Sequence, residues 1–485
     1  MHISSLPNEY GIGKLGKEAY AFVDFLEKAH QKCWQILPIS PTSYGDSPYQ
    51  SFSVHAGNPY FIDLEALEKE GYLKPAEYKD IEWGDDKGSV DYGKIYEVIF
   101  KVLRTAHKRF RKKPEKAYSK FVVENKDWIY DYALFMSLKF ANKGKAWYEW
   151  DEPLKMYKPK AIKSARKEYA NDIDFWCFVQ YKYFQQWKKL KAYANEKGIE
   201  IIGDIPIYVA YDSVEVWSTP QYFSLDKEKK PVEVAGCPPD TFTADGQLWG
   251  NPLYNWEYIA RDKFRWWVER IKAASNTYDV VRIDHFRGFE SYYCIPYGAK
   301  NAKKGKWRKG PDMRLFKEVR KQLGDVKIIA EDLGFLTKHV VKMLNASGYP
   351  GMKVLEFGFD SDNTNGYLPH NYKTTNSICY TGTHDNETIL GWIKSCDEKT
   401  RSYCKDYLGV TKDEFVPWAM VRLCWSSVCD TAIAQMQDIL CLDDKARMNT
   451  PSTVGANWKW RLESFDKLDD TLAERLAKIT AVYGR

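Results

Sequence analysis

Four acid-bearing stretches hold the side chains most able to do chemistry. Val280-Val-Arg-Ile-Asp-His-Phe-Arg-Gly288 runs from a short β-branched strand into a cluster containing Arg282, Asp284, His285 and Arg287. The same change recurs where 199–206 runs into Asp204 and where 327–334 runs through Ile328, Ile329 and Ala330 into Glu331 and Asp332. It recurs again where 377–388 runs through Ile378, Cys379 and Tyr380 into His384, Asp385 and Glu387. Carboxyl groups brought together at neighbouring strand ends are the equipment of acid–base and nucleophilic catalysis. Asp284 alone would read equally well as an ion pair with Arg282 that fixes a strand end. Three further acids at equivalent places read instead as a mouth lined with carboxylates.

Continuous apolar strands of this kind belong to a parallel sheet covered on both faces, and an α/β barrel places its chemistry at the C-terminal ends of those strands. A chain of 485 residues with 44% hydrophobic content fills one such barrel if it carries large insertions. The expected fold is therefore a (β/α)8 TIM barrel spanning 1–485, with inserted helical and loop subdomains and no separate C-terminal β-domain. Barrel strands are predicted at 33–39, 198–209, 280–283, 327–331, 354–359 and 378–381; 427–440 is either the last strand or part of a helix. Residues 41–197 read as a mostly helical insertion, with apolar residues at helical spacing over 128–140 and 175–190. Residues 207–260, with Gly236-Cys-Pro-Pro-Asp240 and Gly246-Gln-Leu-Trp-Gly-Asn-Pro252, are too rich in Gly and Pro to predict regular structure. They are expected to form a flap near the mouth with Trp249 at its tip. A short helix is predicted over 315–323 and a closing helix over 468–483.

Near the start, Gly11-Ile-Gly13-Lys-Leu-Gly16 satisfies the G-x-G-x-x-G pattern and leads into an amphipathic helix over 17–30. A dinucleotide site also needs a strand before the glycines and an acid some twenty residues after them. Ser4-Ser-Leu-Pro-Asn-Glu-Tyr10 is turn-rich, so a glycine turn shaping the barrel mouth is expected, and no nucleotide. The 18 Trp, 34 Tyr and 23 Phe are mostly core, but Tyr49, Tyr60, Trp217, Trp249, Trp256 and Trp458 sit beside polar or Gly-Pro segments. Rings in such places offer flat faces to the C–H faces of sugars.

The 72 basic residues nearly balance the 66 acidic ones, and the basic clusters at 108–116 and 300–309 lack a nucleic-acid module. They read as solvated faces. No apolar run approaches the ~18 residues of a membrane helix, and the ten scattered cysteines include no C-x-x-C pair. A cytoplasmic protein with reduced, mostly buried thiols is expected.

Taken together, these stretches resemble the amylomaltase family of 4-α-glucanotransferases within the α-amylase superfamily. The matching runs are Ser5-Leu-Pro with Tyr10-Gly-Ile-Gly13, Asp46-Ser-Pro-Tyr-Gln-Ser51, Gly57-Asn-Pro-Tyr60, Gly203-Asp-Ile-Pro206 and Pro238-Pro-Asp240 with Trp249-Gly-Asn-Pro252. They continue through Arg282-Ile-Asp-His-Phe-Arg-Gly288, Ala330-Glu-Asp-Leu-Gly334, Thr381-Gly-Thr-His-Asp-Asn-Glu-Thr388, and Arg447-Met-Asn-Thr-Pro451 with Asn457-Trp458. They stand in the family's order over nearly the full length. This chain departs at two places: it starts at Met1-His-Ile3, where the family has an apolar strand, so the first barrel strand is expected to be clipped; and Ser452 stands where the family commonly has glycine.

The resemblance implies transfer of α-1,4-glucan segments between maltooligosaccharides, or to glucose, by a retaining double displacement, without cofactor or catalytic metal. Retention needs a nucleophile and an acid with carboxyl groups about 5–5.5 Å apart. Asp284 is the expected nucleophile, kept ionised by Arg282 on the same face, and the resemblance makes it the site of the covalent intermediate. Glu331 is the expected general acid and then base, its proton held by burial and neighbouring carboxylates. The resemblance gives Asp385 the binding of sugar hydroxyls and stabilisation of transition-state charge. Asp204 and His384 would bind hydroxyls, Tyr49 would stack beneath the donor ring, and the loops around Trp249 and Asn449 would favour sugar over water. The alternatives are an α-glucan hydrolase of the same superfamily and an inactive glucan-binding protein.

Overall fold

The computed structural model describes residues 1–43, 45–239, 244–334 and 336–485. Asp240, which ends a stretch quoted above, lies outside the described residues. Along the chain the strands are β1 (Cys33–Gln35), β2 (Glu200–Ile205), β3 (Glu233–Cys237), β4 (Gln247–Pro252), β5 (Val280–Ile283), β6 (Ser291–Pro296), β7 (Lys306–Lys309), β8 (Ile328–Ala330), β9 (Gly351–Val354), β10 (Ser377–Tyr380) and β11 (Thr431–Ile433). The barrel wall is made of parallel strands in the order β1-β2-β5-β8 and β9-β10-β11. The two runs are joined where Ala330 N donates to Pro350 O at 3.0 Å.

Both faces of this wall are apolar, as the sequence runs require. Ile202, Ile329, Met352, Val354, Ile378 and Tyr380 pack together inside the barrel. Val281, Ile283, Ile328 and Ala330 belong to the larger core shared with the surrounding helices. Alternation along β5 therefore turns Arg282 inward between two outward apolar residues.

Between β1 and β2 run α1's successors in the long crossover; α1 itself (Lys17–Lys28) precedes β1 and buries Ala19, Phe22, Val23, Phe25 and Leu26. The crossover contains α2 (Tyr92–Phe110), α3 (Ile129–Ala141) and the 27-residue α4 (Ala170–Glu196). α4 packs on α3, α1 and β2, and Gly198, at φ +72°, makes the left-handed turn that leads into β2. The early glycines are packing positions. A Cβ on Gly13 would lie 1.8 Å from Ile3 O, and one on Gly16 would lie 2.8 Å from the Asp63 carboxyl carbon. Among the described residues no helix is long and apolar enough to cross a membrane.

Several sequence expectations need correction. Within 207–260, the expected irregular flap contains β3 and β4, which with β6 and β7 form an antiparallel sheet ordered β4-β3-β6-β7. Its glycines serve pairing: a Cβ on Gly236 would lie 2.1 Å from Gln247 O on the facing strand. Trp249 therefore stands on β4 and not at a loop tip. The strand expected over 354–359 ends at Val354 and continues as a 3-10 turn, Leu355–Gly358. The segment 427–440 holds both proposed alternatives in succession, β11 and a short helix, Met436–Ile439.

Among the described residues no ladder joins β11 to β1. Met1 and His2 lie beside this seam: Trp34 Nε1 donates to Met1 O at 2.7 Å, and Leu37 N donates to His2 Nδ1 at 3.2 Å. A cavity of 680 Å³ opens there, lined by Cys33, Gln35, Ala432 and, from the helical layer, Phe22 and Leu476.

Candidate active site

Strand register assembles the mouth. Asp204 on β2 pairs with Arg282 on β5, and Ile283 pairs with Ala330 on β8. The next residues, Asp284 and Glu331, therefore sit side by side on neighbouring strands, which lie about 4.8 Å apart. Both are tied to the last rungs, Asp284 N to Ile205 O and Glu331 N to Ile283 O, each at 3.0 Å. The buried Arg282 Nη1 lies 2.5 Å from Asp204 Oδ2 and 3.1 Å from Asp284 Oδ1. Tyr49 Oη also donates to Asp204 Oδ2, at 2.8 Å, and Asp204 Oδ1 has no hydrogen-bond partner.

Burial is the largest single influence on the Arg282 guanidinium and works against its charge, but the charges of Asp204 and Asp284, joined by those of Tyr49 and Glu331, outweigh it and raise the pKa well above the ordinary value. For Asp284, burial pushes the carboxyl well up despite Arg282, helped by the charges of Glu331, Asp204 and Asp385. Glu331 is raised too, chiefly by burial, against Arg282 and two backbone donors. Those donors are His285 N to Oε2 and Leu333 N to Oε1, both at 2.7 Å. Because the Glu331 charge acts on Asp284, the two carboxyls titrate as one pair. His285 reaches Glu331 because its backbone is left-handed, at φ 51° and ψ 46°, an uncommon conformation for a residue with a side chain. Its ring is wedged edge-on against Trp249 at 4.9 Å. Burial keeps that imidazole neutral, with its pKa lowered to about 3.

The opposite wall is the turn after β10. His384 stacks on Tyr49 with centroids 5.1 Å apart, and Trp458 closes on both at 5.7 and 5.8 Å. Asp385 Oδ1 accepts Asn449 Nδ2 at 2.6 Å and lies 3.4 Å from His384 Nε2. Asn449 N donates to His384 O at 3.0 Å, and Arg447 Nη2 donates to Asp385 O at 2.9 Å. Burial lowers the pKa of His384, favouring a neutral ring that can both donate and accept.

Between the walls lies a cleft of 550 Å³ lined by Tyr49, Trp249, Asp284, His384, Asp385 and Asn449, among others. Six of the nine residues singled out from the sequence thus share one surface. Asp204 and Arg282 lie under it, and Glu331 sits beside Asp284 with 9% of its surface exposed. Sequence reasoning missed Arg447 and, beneath the Asp385 turn, Asn386 and Glu356. Glu356 follows the apolar residues Val354 and Leu355, the same signal that found the other four acids. Extending the strand to 359 buried that acid inside the predicted element.

The family described as 4-alpha-glucanotransferase matches residues 1–467. A 4-alpha-glucanotransferase of Clostridium butyricum is 49% identical over 489 residues, covering 100% of both chains. The structure of the amylomaltase from Streptococcus agalactiae in complex with acarbose superposes with a TM-score of 0.97 at 44% identity, covering 100% of this chain and 98% of that one. An α-amylase from Geobacillus thermoleovorans, at TM-score 0.50 and 11% identity over 100% of this chain and 77% of its own, shares the fold alone. The TIM barrel, the carboxylate-lined mouth and these likenesses agree: the chain belongs to the 4-alpha-glucanotransferase family.

Proposed function

We propose that the protein transfers α-1,4-glucan segments between maltooligosaccharides, with glucose as an acceptor, and that the 284/331 pair does the chemistry. The observation that carries this is the β5–β8 register. It sets two carboxyls on adjacent strands, a spacing that suits the roughly 5–5.5 Å of a retaining pair. Arg282 touches Asp284 directly, so in the half-protonated pair the negative charge belongs on Asp284 and the proton on Glu331. Asp284 attacks the anomeric carbon while Glu331 gives its proton to the departing glycosidic oxygen. A glucosyl ester on Asp284 and a shortened glucan result. Glu331, now a carboxylate, takes the proton from the 4-hydroxyl of an acceptor sugar as that oxygen displaces Asp284.

Asp385, held by Asn449, faces the positive charge that develops at the ring and binds hydroxyls there. Asp204 and His384 take donor hydroxyls, and Tyr49, fixed by Asp204 and stacked on His384, presents its ring to the sugar. Trp249 and Asn449 line the cleft where the acceptor would enter and water would be displaced. The ten free cysteines fit a reducing compartment, and we place the protein in the cytoplasm. Incubation with maltotriose tests the reading. Glucose together with a ladder of longer oligosaccharides is expected; only shorter products with new reducing ends would make the protein a hydrolase and overturn the proposal.

A further inference from the structure

Beneath the turn that carries His384 and Asp385 lie two buried carboxyl groups to which the reaction scheme gives no task. Asp438 holds the two ends of the turn: its Oδ2 accepts from Thr381 Oγ1 at 2.6 Å and its Oδ1 from Ile389 N at 2.8 Å. Glu356 holds the middle. Its Oε1 accepts from Asn386 Nδ2 at 2.8 Å, and Asn386 Oδ1 accepts both the N–H and the hydroxyl of Thr383 at 2.9 Å. The Thr383 hydroxyl in turn accepts from Asp385 N at 3.4 Å. Glu356 N donates to Thr381 O at 3.3 Å, which docks the acid onto the base of the same turn.

The second oxygen of Glu356, Oε2, has no hydrogen-bond partner. It faces Gly382, where a Cβ would lie 3.5 Å from it and 2.9 Å from Gln435 Nε2. A buried polar atom left unpaired is costly, and an apolar side chain of similar size would fill the same volume. Burial lifts the Glu356 carboxyl well above its ordinary range, so the group can serve as a neutral acid that bonds without placing another negative charge under Asp385.

We infer that Glu356 is a positioning residue for Asp385: through Asn386 and Thr383 it fixes the 381–388 turn so that the Asp385 carboxylate and the His384 ring stay presented to the cleft. The inference rests on the proposed role of Asp385 and deepens it. Three variants separate holding from filling. Glu356→Gln keeps the volume and an acceptor for Asn386, Glu356→Leu keeps only the volume, and Asn386→Ala cuts the next link.

With maltotriose, Glu356→Leu and Asn386→Ala should each lower kcat by about 10- to 100-fold with little change in KM, and their combination should lose no more than either alone. Glu356→Gln should stay within about threefold of the unaltered protein. Amide exchange over 381–388 should speed up in the first two variants and not in the third. Should Glu356→Leu fail to fold, Thr383→Val, at the half-buried end of the relay, should give the same fall in kcat and the same faster exchange. Unchanged kcat and unchanged exchange in Glu356→Leu or Thr383→Val would overturn the inference, as would loss confined to thermal stability. If the unaltered protein makes no longer oligosaccharides, the proposed function fails, while exchange over the turn still decides whether Glu356 holds it.

Discussion

Lys182 on α4 and Arg282 on β5 are both buried cations held between two carboxylates. Lys182 Nζ bonds Glu115, Glu70 Oε2 at 2.8 Å and Gln185 Oε1 at 3.1 Å. Glu115 is saturated further by Tyr72 Oη at 3.0 Å, Tyr181 Oη at 2.6 Å and Gln185 Nε2 at 3.1 Å. Although burial works against its charge, these donors draw the Glu115 carboxyl down to about 2. At the mouth the count runs the other way. Asp204 keeps an unpartnered oxygen, and Asp284 is 30% exposed at its side chain and raised in pKa. The helical cluster has spent its lone pairs on neighbours and can only hold the fold, whereas the mouth keeps some for a visitor and accepts the electrostatic cost.

The sharpest way to break this comparison is to neutralise one charge in each region. Asp284→Asn or Glu331→Gln should lower glucan transfer by about 10⁴-fold or more while leaving the melting temperature little changed or, for Asp284→Asn, raised, because that change removes the charge of the crowded buried pair. Retained transfer in either variant would remove the distinction. Lys182→Met should do the reverse, costing about 3–5 kcal/mol of stability through the carboxylates it leaves uncompensated with little effect on kcat of the folded protein. Denaturant titration and initial rates on the same sample read both quantities.

A pH series sharpens the same point. Glu115 has a folded pKa below its unfolded value of about 4.5, so its contribution is fully present above that pH and is lost as the pH falls towards about 2. Melting curves should therefore fall more steeply over this window for the unaltered protein than for Glu115→Gln, and parallel curves would count against the saturated cluster. The smallest effect is expected at the cleft edge. Ser452 holds φ +65°, a left-handed conformation that costs a residue with a side chain about 1–2 kcal/mol and glycine little. After the added chain entropy of glycine, Ser452→Gly should stabilise by about 0.5 kcal/mol, and a destabilised variant would mean that the serine side chain earns its place there.

Much of the mouth was legible because short continuous apolar runs that end in an acid point to strand, direction and rim position at once. Asp204, Asp284 and Glu331 came from that signal, and Arg282 from its two-residue offset. Glu356 carries the same signal and was lost through a strand boundary displaced by a few residues. The antiparallel sheet was hidden because Gly236 and its neighbours look like breakers, although a bare Cα is what lets the facing carbonyl approach. The stacking of Tyr49 on His384 joins residues hundreds of positions apart and the bond from Asn449 to Asp385 spans 64, and no local pattern announces them. The left-handed backbone of His285 is likewise set by the packing of its ring against Trp249 and by the glycine turn that follows, not by its own preference.

Among the described residues no ladder closes the seam between β11 and β1, which leaves a loose joint in the hoop. The strands bearing Asp284 and Glu331 lie across the hoop from that joint, with other strands between on either side, whereas β2 and β10 each stand one strand away from it. Breathing at the joint should show as faster amide exchange in Cys33–Gln35 and Thr431–Ile433 than in Val280–Ile283. The parts of the mouth that such loosening would reach first are Asp204, at the end of β2, and the turn of Asp385, a footing with two hidden acids clamped beneath it.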